Sequence, residues 1–570
     1  MFLFDLFRSF LPLHNPIGFG SADFVEFALA AMLVLMVALH GRVEPAARRL
    51  AESRAWSMVF LALLPIVLRL ALLPRFPVPT PSGADDFSYL LLGDTLAHLR
   101  LANAVHPLRQ FFEAVFILQQ PSYSSIFPLG QGLVLALGQL FGHPWVGVAL
   151  SVGALCAACY WMLRGWTTAG WALVGGVLAA LEFGPLNQWM NLYWGGAVSG
   201  VAGCLVCGAL PRLRRAPTTR NAALLGAGLG IQLLTRPFEF VLLAIVAAAF
   251  LLPGWRRFLQ ALPIVGVTLL PAVSLTLAQN KVVTGSWTTL PYMLSRYQYG
   301  VPAAFTFQPN PVPHVALTPE QDLDYRAQSI VHGEGPDTPA NYVARLGERL
   351  HFYRFFFFPP LMLALPAFLA AMARRRKLLW AAGAILLFAL ADNFYPYFYP
   401  HYIAALTCLF VLVSMAALEF LSRWPAGRAA ARLVVSLALA HFLFWCGMLC
   451  GNQTMLLAAG RFDTADFINY GDAEGRIRIN DQLASLAGQH LVFVRYGPQH
   501  MFHEWIHNAA DIDGADVVWA ADLGYEENQK LIEYYPTRRA CCVPPNWRRV
   551  CKRLGIDSIY AAKHKWLKMF

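Results

Sequence analysis

Hydrophobic positions in this chain fall in long unbroken blocks, not in the alternation of a half-buried strand or the single stripe of a surface helix. The blocks lie near residues 24–40, 56–73, 145–163, 168–183, 196–210, 221–235, 238–252, 259–278, 356–373, 378–391, 401–420 and 431–449. A helix needs about 20 residues to cross the hydrocarbon of a bilayer, so these blocks predict about twelve transmembrane helices. The apolar run from Pro128 to Phe141 is shorter, about 14 residues, and predicts a half-embedded or interfacial helix. After Asn452 the pattern turns charged and mixed. There "HLVFVRYG" at 490–497 and "ADVVWAA" at 515–521 read as strands, and "GYEENQKLIEYY" from Gly524 reads as a helix. The predicted fold is a polytopic α-helical membrane protein over residues 1–450, with outer loops at 74–144 and 279–355, followed by a small α/β domain over 451–570.

Composition agrees with lipid as the solvent. The 570 residues are 57% hydrophobic and 14% charged, with mean hydropathy +0.48, against about 25% charged in an ordinary soluble domain. The net charge of +11 does not point to nucleic acid, because Lys and Arg sit in short clusters between apolar blocks. The clusters are Arg42, Arg48, Arg49 and Arg54; Arg164; Arg212, Arg214 and Arg215; Arg256 and Arg257; Arg374 to Lys377; and Arg423 with Arg428. Two expected spans separate each cluster from the next, which marks one face as cytoplasmic. The opposite face then carries 74–144, 184–195, Arg236, 279–355, 392–400 and the C-terminal domain. The first twenty residues include Asp5, Arg8, Pro12 and Pro16 and lack the order of a cleavable signal peptide. Cys156, Cys159, Cys204 and Cys207 form two C-x-x-C pairs inside apolar runs, where cysteine packs as a small hydrophobe. Cys450, Cys541, Cys542 and Cys551 could pair on an oxidising side, with no pairing fixed by sequence.

The first outer loop is the richest in chemistry. "PSGADDFSYLLLGDTLAHL" places Asp85 and Asp86 just past the end of a predicted span, where acids are costly and usually have a task; a solvated turn is the plainer alternative. A span, an acidic pair, an aromatic-bearing helix, a long outer loop and many further spans together resemble the GT-C class of membrane glycosyltransferases, which includes protein O-mannosyltransferases and lipid A aminoarabinose transferases. "DDFSYLLLGDTL" is similar to that class's Asp-Glu motif, with Asp86 where the class has Glu. "QQPSYSSIFPLGQGLVLALGQLFG" resembles the proline-containing end of the same loop, with Gln120 where the class has a basic residue. "LLGAGLGIQLLTRPFEFVLLAIV" and "YPHYIAALTCLF" extend the likeness over residues 56–450. The resemblance implies an inverting transferase that uses a polyprenyl-phosphate-linked sugar at the outer face of a bacterial inner membrane, with Asp85 at the catalytic position and Asp86 beside it.

Such a transfer needs a base for the acceptor proton and a cation for the leaving phosphate. Arg236 is the leading candidate for the cation, since its planar fork matches phosphate oxygens; an ion pair with Glu239 or snorkelling to headgroups are the structural alternatives. Arg69 and Arg296 are further candidates for phosphate. Asp392 and His401 flank a tyrosine cluster on the same face and are candidate lining residues. The sequence leaves a divalent ion open and does not name the acceptor. Two other functions compete with a transferase: a transporter or flippase, and a membrane-anchored zinc hydrolase. A transporter would be expected to carry an internal repeat with interrupted helices, and none is visible. His503-Glu504-Trp505-Ile506-His507 satisfies the zinc-protease pattern H-E-x-x-H, with Glu526 or Glu527 as third ligand, but the intervening sequence reads as loop, strand and turn.

Overall fold

The computed structural model describes residues 21–451, apart from 82, 334 and 336, and then 472, 475–496 and 504–543. Helices α1 (Ser21–Glu52) and α2 (Arg54–Ala71) lead to the first large loop. That loop holds α3 (Ala84–Ala97), a short antiparallel ribbon of β1 (Ile117–Leu118) and β2 (Ser124–Ser125), and α4 (Leu129–Leu140). The bundle continues through α5 (Pro144–Leu163), α6 (Ala169–Glu182), α7 (Ala197–Arg215), α8 (Thr219–Thr235), α9 (Pro237–Leu251) and α10 (Leu262–Thr284). A second loop carries α11 (Pro291–Tyr299), α12 (Pro319–His332) and α13 (Pro339–Arg349). Each of these three opens on proline, whose fixed φ and missing N–H suit a first turn, and Thr318 with Gln321 closes a capping box on α12. Then follow α14 (Leu365–Arg374), α15 (Arg376–Asp392), α16 (Thr407–Leu421) and α17 (Pro425–Gly451).

Among the described residues, seven helices are long and apolar enough to cross a membrane, or eight if the segments Pro339–Phe356 and Pro359–Arg374, bent by 107°, form one span. The stretches at 168–183, 221–235 and 378–391 are helical, but their helices have 14, 17 and 17 residues. At 1.5 Å per residue they reach about 21–26 Å, so the two of 17 residues sit at the lower limit of a crossing and the one of 14 falls below it. The stretch at 24–40 lies inside the 32-residue α1. The span Pro400–Leu421 is wholly enclosed by its neighbours, whereas only 17% of the Leu262–Thr284 window is buried, so α16 is central and α10 faces lipid. The paired cysteines on α5 and α7 are fully buried in this packing, with Cys408 of α16.

Helix α4 has 12 residues and is too short to cross. One side packs on the loop, and the other exposes Leu133, Leu137 and Leu140. Its first turn lies hard against the end of α8: a Cβ at Gly130 would run into the Thr235 hydroxyl and the Leu234 carbonyl. That contact brings the first loop beside Arg236.

In the C-terminal region, α18 (Arg476–Ser485), β3 (His490–Val494), β4 (Val517–Ala521), α19 (Tyr525–Tyr534) and β5 (Arg539–Val543) form a three-stranded parallel sheet with β3 in the middle. Side chains alternate across a strand. Leu491 and Phe493 therefore join Leu91, Phe111, Phe112 and Tyr123 of the first loop in one core, while Val492 and Val494 pack with Trp505 and Trp519 in another. The second loop touches the first as well, through Gln298 Nε2 to the Gln120 carbonyl (3.1 Å) and Tyr299 Oη to Glu113 (3.0 Å). Of the cysteines considered for a disulfide, Cys551 and the side chains of Cys450 and Cys542 lie outside the described residues.

Candidate active site

Gly83, in an extended conformation, precedes α3, and Asp85 and Asp86 fall in its first turn, where unpaired N–H groups favour carboxylates. The two acids then part. Asp86 is 1% exposed, and its Oδ1 accepts from the Tyr193 N–H (3.0 Å); this carboxylate is turned into the fold and tied to the "NLYW" segment. Asp85 is half-buried at the surface of the cluster. Desolvation, then the neighbouring charges of Asp86 and Asp324, push its carboxyl up to about 7 against an opposing pull from Arg236. Asp324, on α12, is itself raised by burial to about 6 while it accepts from Gln328 (2.7 Å).

Arg236 stands at a corner between two helices. A residue before proline is pushed to extended backbone, and Arg236 is extended there (φ −148°, ψ 91°), ending α8 as Pro237 begins α9. Its Nε donates to Glu239 (2.8 Å), and its guanidinium lies 4.2 Å from the centre of the Tyr402 ring. Its two terminal nitrogens make no hydrogen bond to any described residue, which leaves the outer half of the fork available. Arg236 lies within electrostatic reach of Asp85, Tyr89, Tyr395, His401 and Tyr402. The sequence alternative of an ion pair with Glu239 is therefore realised at one nitrogen only.

The other candidates separate. Asp392 is fully buried, both of its carboxylate oxygens lack a hydrogen-bond partner, and it feels the charges of Glu239 and Arg236. His401 packs edge-on to Trp194 (4.8 Å) and Tyr402 (4.7 Å), its Nδ1 buried without a partner. The structure thus brings Asp85, Arg236, Asp392 and His401 around one aromatic cluster. Arg69 does not join them. It is 1% exposed, and its three nitrogens donate to Asn191 (2.8 Å), the Phe76 carbonyl (2.9 Å) and the Pro77 carbonyl (2.9 Å). Arg296 donates to the Pro302 (3.1 Å) and Ala303 (3.2 Å) carbonyls and fixes that turn of the second loop.

Several contributors were not read from the sequence. Arg345 and Arg349, one turn apart on α13, grip the carbonyls of Asn393 (2.8 Å), Asp392 (3.0 Å) and Pro396 (3.0 Å), so α13 sets the tyrosine-rich segment against Arg236. Glu504 reaches back from the C-terminal region, 6% exposed, and accepts from the Val115 N–H (3.4 Å). Burial, with Glu320 and Asp324 nearby, raises it to about 8. The His507 ring lies 4.6 Å from that of Phe87, two residues after Asp85.

The zinc-protease pattern falls only partly on described residues. His503 lies outside the described residues, and 504–509 forms no helix, so the one-turn spacing that would put two histidines on one face is not supplied. Among the described residues, no group of three His, Cys, Asp or Glu side chains is arranged to hold a metal ion.

Fold and site define a multi-pass helical membrane protein with a carboxylate and an arginine within electrostatic reach of each other where a large loop meets the bundle. No family model and no curated protein sequence matches the chain. Among solved structures it is similar to ArnT from Cupriavidus metallidurans in the apo state, at 15% identity and TM-score 0.46 over 86% of this chain and 89% of that one. The same protein bound to undecaprenyl phosphate aligns at 14% identity and TM-score 0.47, over 86% and 90%. The oligosaccharyltransferase of Archaeoglobus fulgidus, in its apo form, aligns at 14% identity and TM-score 0.41, covering 78% of this chain and 62% of that one.

Proposed function

We propose that this protein is an inverting glycosyltransferase that moves a sugar from a polyprenyl-phosphate donor to an acceptor at the outer face of a bacterial inner membrane. The observation that carries this reading is the pairing of Asp85, whose carboxyl is pushed up to about 7, with Arg236, whose outer nitrogens are unbonded among the described residues. A general base works best when its pKa lies near the working pH. An arginine with free donors at a membrane boundary suits a phosphate.

In the proposed reaction, Asp85 takes the proton of an acceptor hydroxyl as its oxygen bonds to the anomeric carbon. The bond from that carbon to the phosphate oxygen breaks on the opposite side, and both electrons leave with the polyprenyl phosphate. Arg236 balances the charge that builds on this leaving group. Direct displacement needs one base, not the two closely spaced carboxylates of a retaining glycosidase. Asp86, held by Tyr193, keeps the first turn of α3 in place. Glu239 holds Arg236 by its Nε so that the outer fork points away from the pair. Asp392 and His401 line the same cluster.

The test is transfer from a polyprenyl-phosphate sugar by the purified full chain in liposomes, with donor binding measured separately. Asp85→Asn is expected to abolish turnover and to leave donor binding largely intact. Turnover like that of the unaltered protein would remove the assignment.

A further inference from the structure

The opposite end of the bundle holds a polar feature that the proposed transfer does not use. Helix α7 ends on "PRLRR", and α9 runs into a short turn and the helix Trp255–Leu259. A cavity of about 430 Å³ lies between these ends, lined by Arg214, Pro217, Leu251, Trp255, Arg256 and Phe258. Its volume is in the range of small-ligand sites.

Both arginines of this cavity carry unneutralised charge. Arg214 lies over the Phe250 ring (5.1 Å) and Arg256 over that of Trp255 (5.8 Å); neither makes a hydrogen bond or ion pair with any described residue. Lys377, at the start of α15, lies within electrostatic reach of Arg214 and Arg215 and adds to the same positive field. Glu419, an acid at this end of the bundle, is taken up by Arg375 (3.0 Å) and the Thr168 N–H (3.2 Å). Retention of basic residues on one membrane face accounts for the presence of these charges, and arginines near a helix C-terminus offset its dipole. Neither effect accounts for a cavity between two helix ends with two guanidinium groups in its wall and no counter-ion among the described residues. Leu252, Trp255 and Leu259 stand exposed beside it, at 68%, 52% and 49%. Apolar side chains next to a cationic pocket at the end of a span match an amphiphile whose head is an anion.

We propose that this cavity binds the phosphate headgroup of an anionic membrane lipid, with Arg214 and Arg256 on the phosphate and the exposed Leu252, Trp255 and Leu259 beside the acyl chains. Free phosphate offers the same head chemistry; the apolar rim selects the lipid. The site is independent of the transfer reaction and stands or falls without it.

The full chain, purified and delipidated, is titrated with phosphatidylglycerol and with phosphatidylcholine, and bound lipid is counted by native mass spectrometry. The unaltered protein is expected to prefer phosphatidylglycerol by about ten- to thirtyfold, from about 1 kcal/mol per basic residue at the surface. Arg214→Gln with Arg256→Gln is expected to reduce that preference to near unity, while the melting temperature in phosphatidylcholine stays unchanged. Should the double variant fold poorly, Arg256→Gln alone, on an exposed turn, is expected to lose several-fold. No preference in the unaltered protein, or an undiminished one in a folded variant, would overturn the proposal. Displacement of the lipid by millimolar inorganic phosphate would assign the cavity to the free anion and overturn it in favour of that source.

Discussion

Arg69 and Arg236 are both largely removed from solvent and both touch an aromatic ring, Trp145 at 5.1 Å and Tyr402 at 4.2 Å. Arg69 has a protein acceptor on each of its three nitrogens and clamps the end of α2 to the chain at Phe76–Pro77 and to Asn191. It anchors the loop from which α3 springs. Arg236 has one acceptor, Glu239, and leaves the rest of its fork unbonded among the described residues beside Asp85. Buried polar groups in proteins are nearly always satisfied, so a fully bonded arginine reads as structure and a half-bonded one as a site awaiting an anion. Asp86 and Asp85 repeat the contrast one residue apart: the first is bonded to Tyr193, and the second is destabilised as an anion by burial and by its acidic neighbours.

The strongest way to break this comparison is Asp85→Asn. Loss of a positioned base is expected to lower turnover about 10²- to 10⁴-fold. The same change is expected to raise the stability at pH 8 by on the order of 1 kcal/mol or more, read as a higher melting temperature, because it removes a carboxylate that burial disfavours as an anion. The sign follows from its proton affinity. With the folded carboxyl at about 7 and the model value at 3.8, the unfolded chain releases this proton first as pH rises, so the group withdraws stability between those values. Activity runs the other way: kcat/KM should rise about tenfold per pH unit below about 7 and level off above it. A flat profile, or a variant both inactive and less stable, would count against the raised carboxyl.

Arg69→Ala should show the opposite pattern, a stability loss of about 3 kcal/mol from stranded buried acceptors, with turnover per folded molecule retained. Donor KM raised tenfold at unchanged stability would instead place Arg69 on substrate. Arg236→Lys keeps the charge beside Glu239 but loses the planar fork. It is expected to raise donor KM about tenfold without lowering the melting temperature, and unchanged donor affinity would remove Arg236 from the phosphate. Alanine is less informative at this position, since it would leave Glu239 buried and unpaired. The smallest effect is expected for Asp86→Asn, about 1 kcal/mol in stability from a weakened bond to Tyr193 and less than tenfold in turnover. A loss as deep as that of Asp85→Asn would mean that the two acids share the work.

Much of this molecule is written locally in its chain. Long apolar blocks with few charges must be helical in lipid, because an open strand or loop leaves backbone hydrogen bonds unmade there, and the short apolar run through 490–494 marks a strand buried on both faces. The Arg236–Pro237 corner is equally local, since proline sets the conformation of the residue before it. Length alone also kept Leu129–Leu140 from being taken as a crossing. The lengths of the helices were not local: helix ends at 182, 235 and 392 depend on where neighbouring loops pack. Sequence could nominate Asp85, Asp86, Arg69 and Arg236, since each is an ionisable residue near a membrane boundary. It could place Arg236 ahead of Arg69 and Asp85 ahead of Asp86, but not supply the physical ground, which lies in acceptors contributed by Asn191, Tyr193 and Glu239 and in charges contributed by Asp324 and Asp86. Of these, Asn191, Tyr193 and Asp324 lie far along the chain from the groups they govern. Proximity of that kind is made only by folding, so tertiary structure alone decides which charge is satisfied and which is left with chemistry to do.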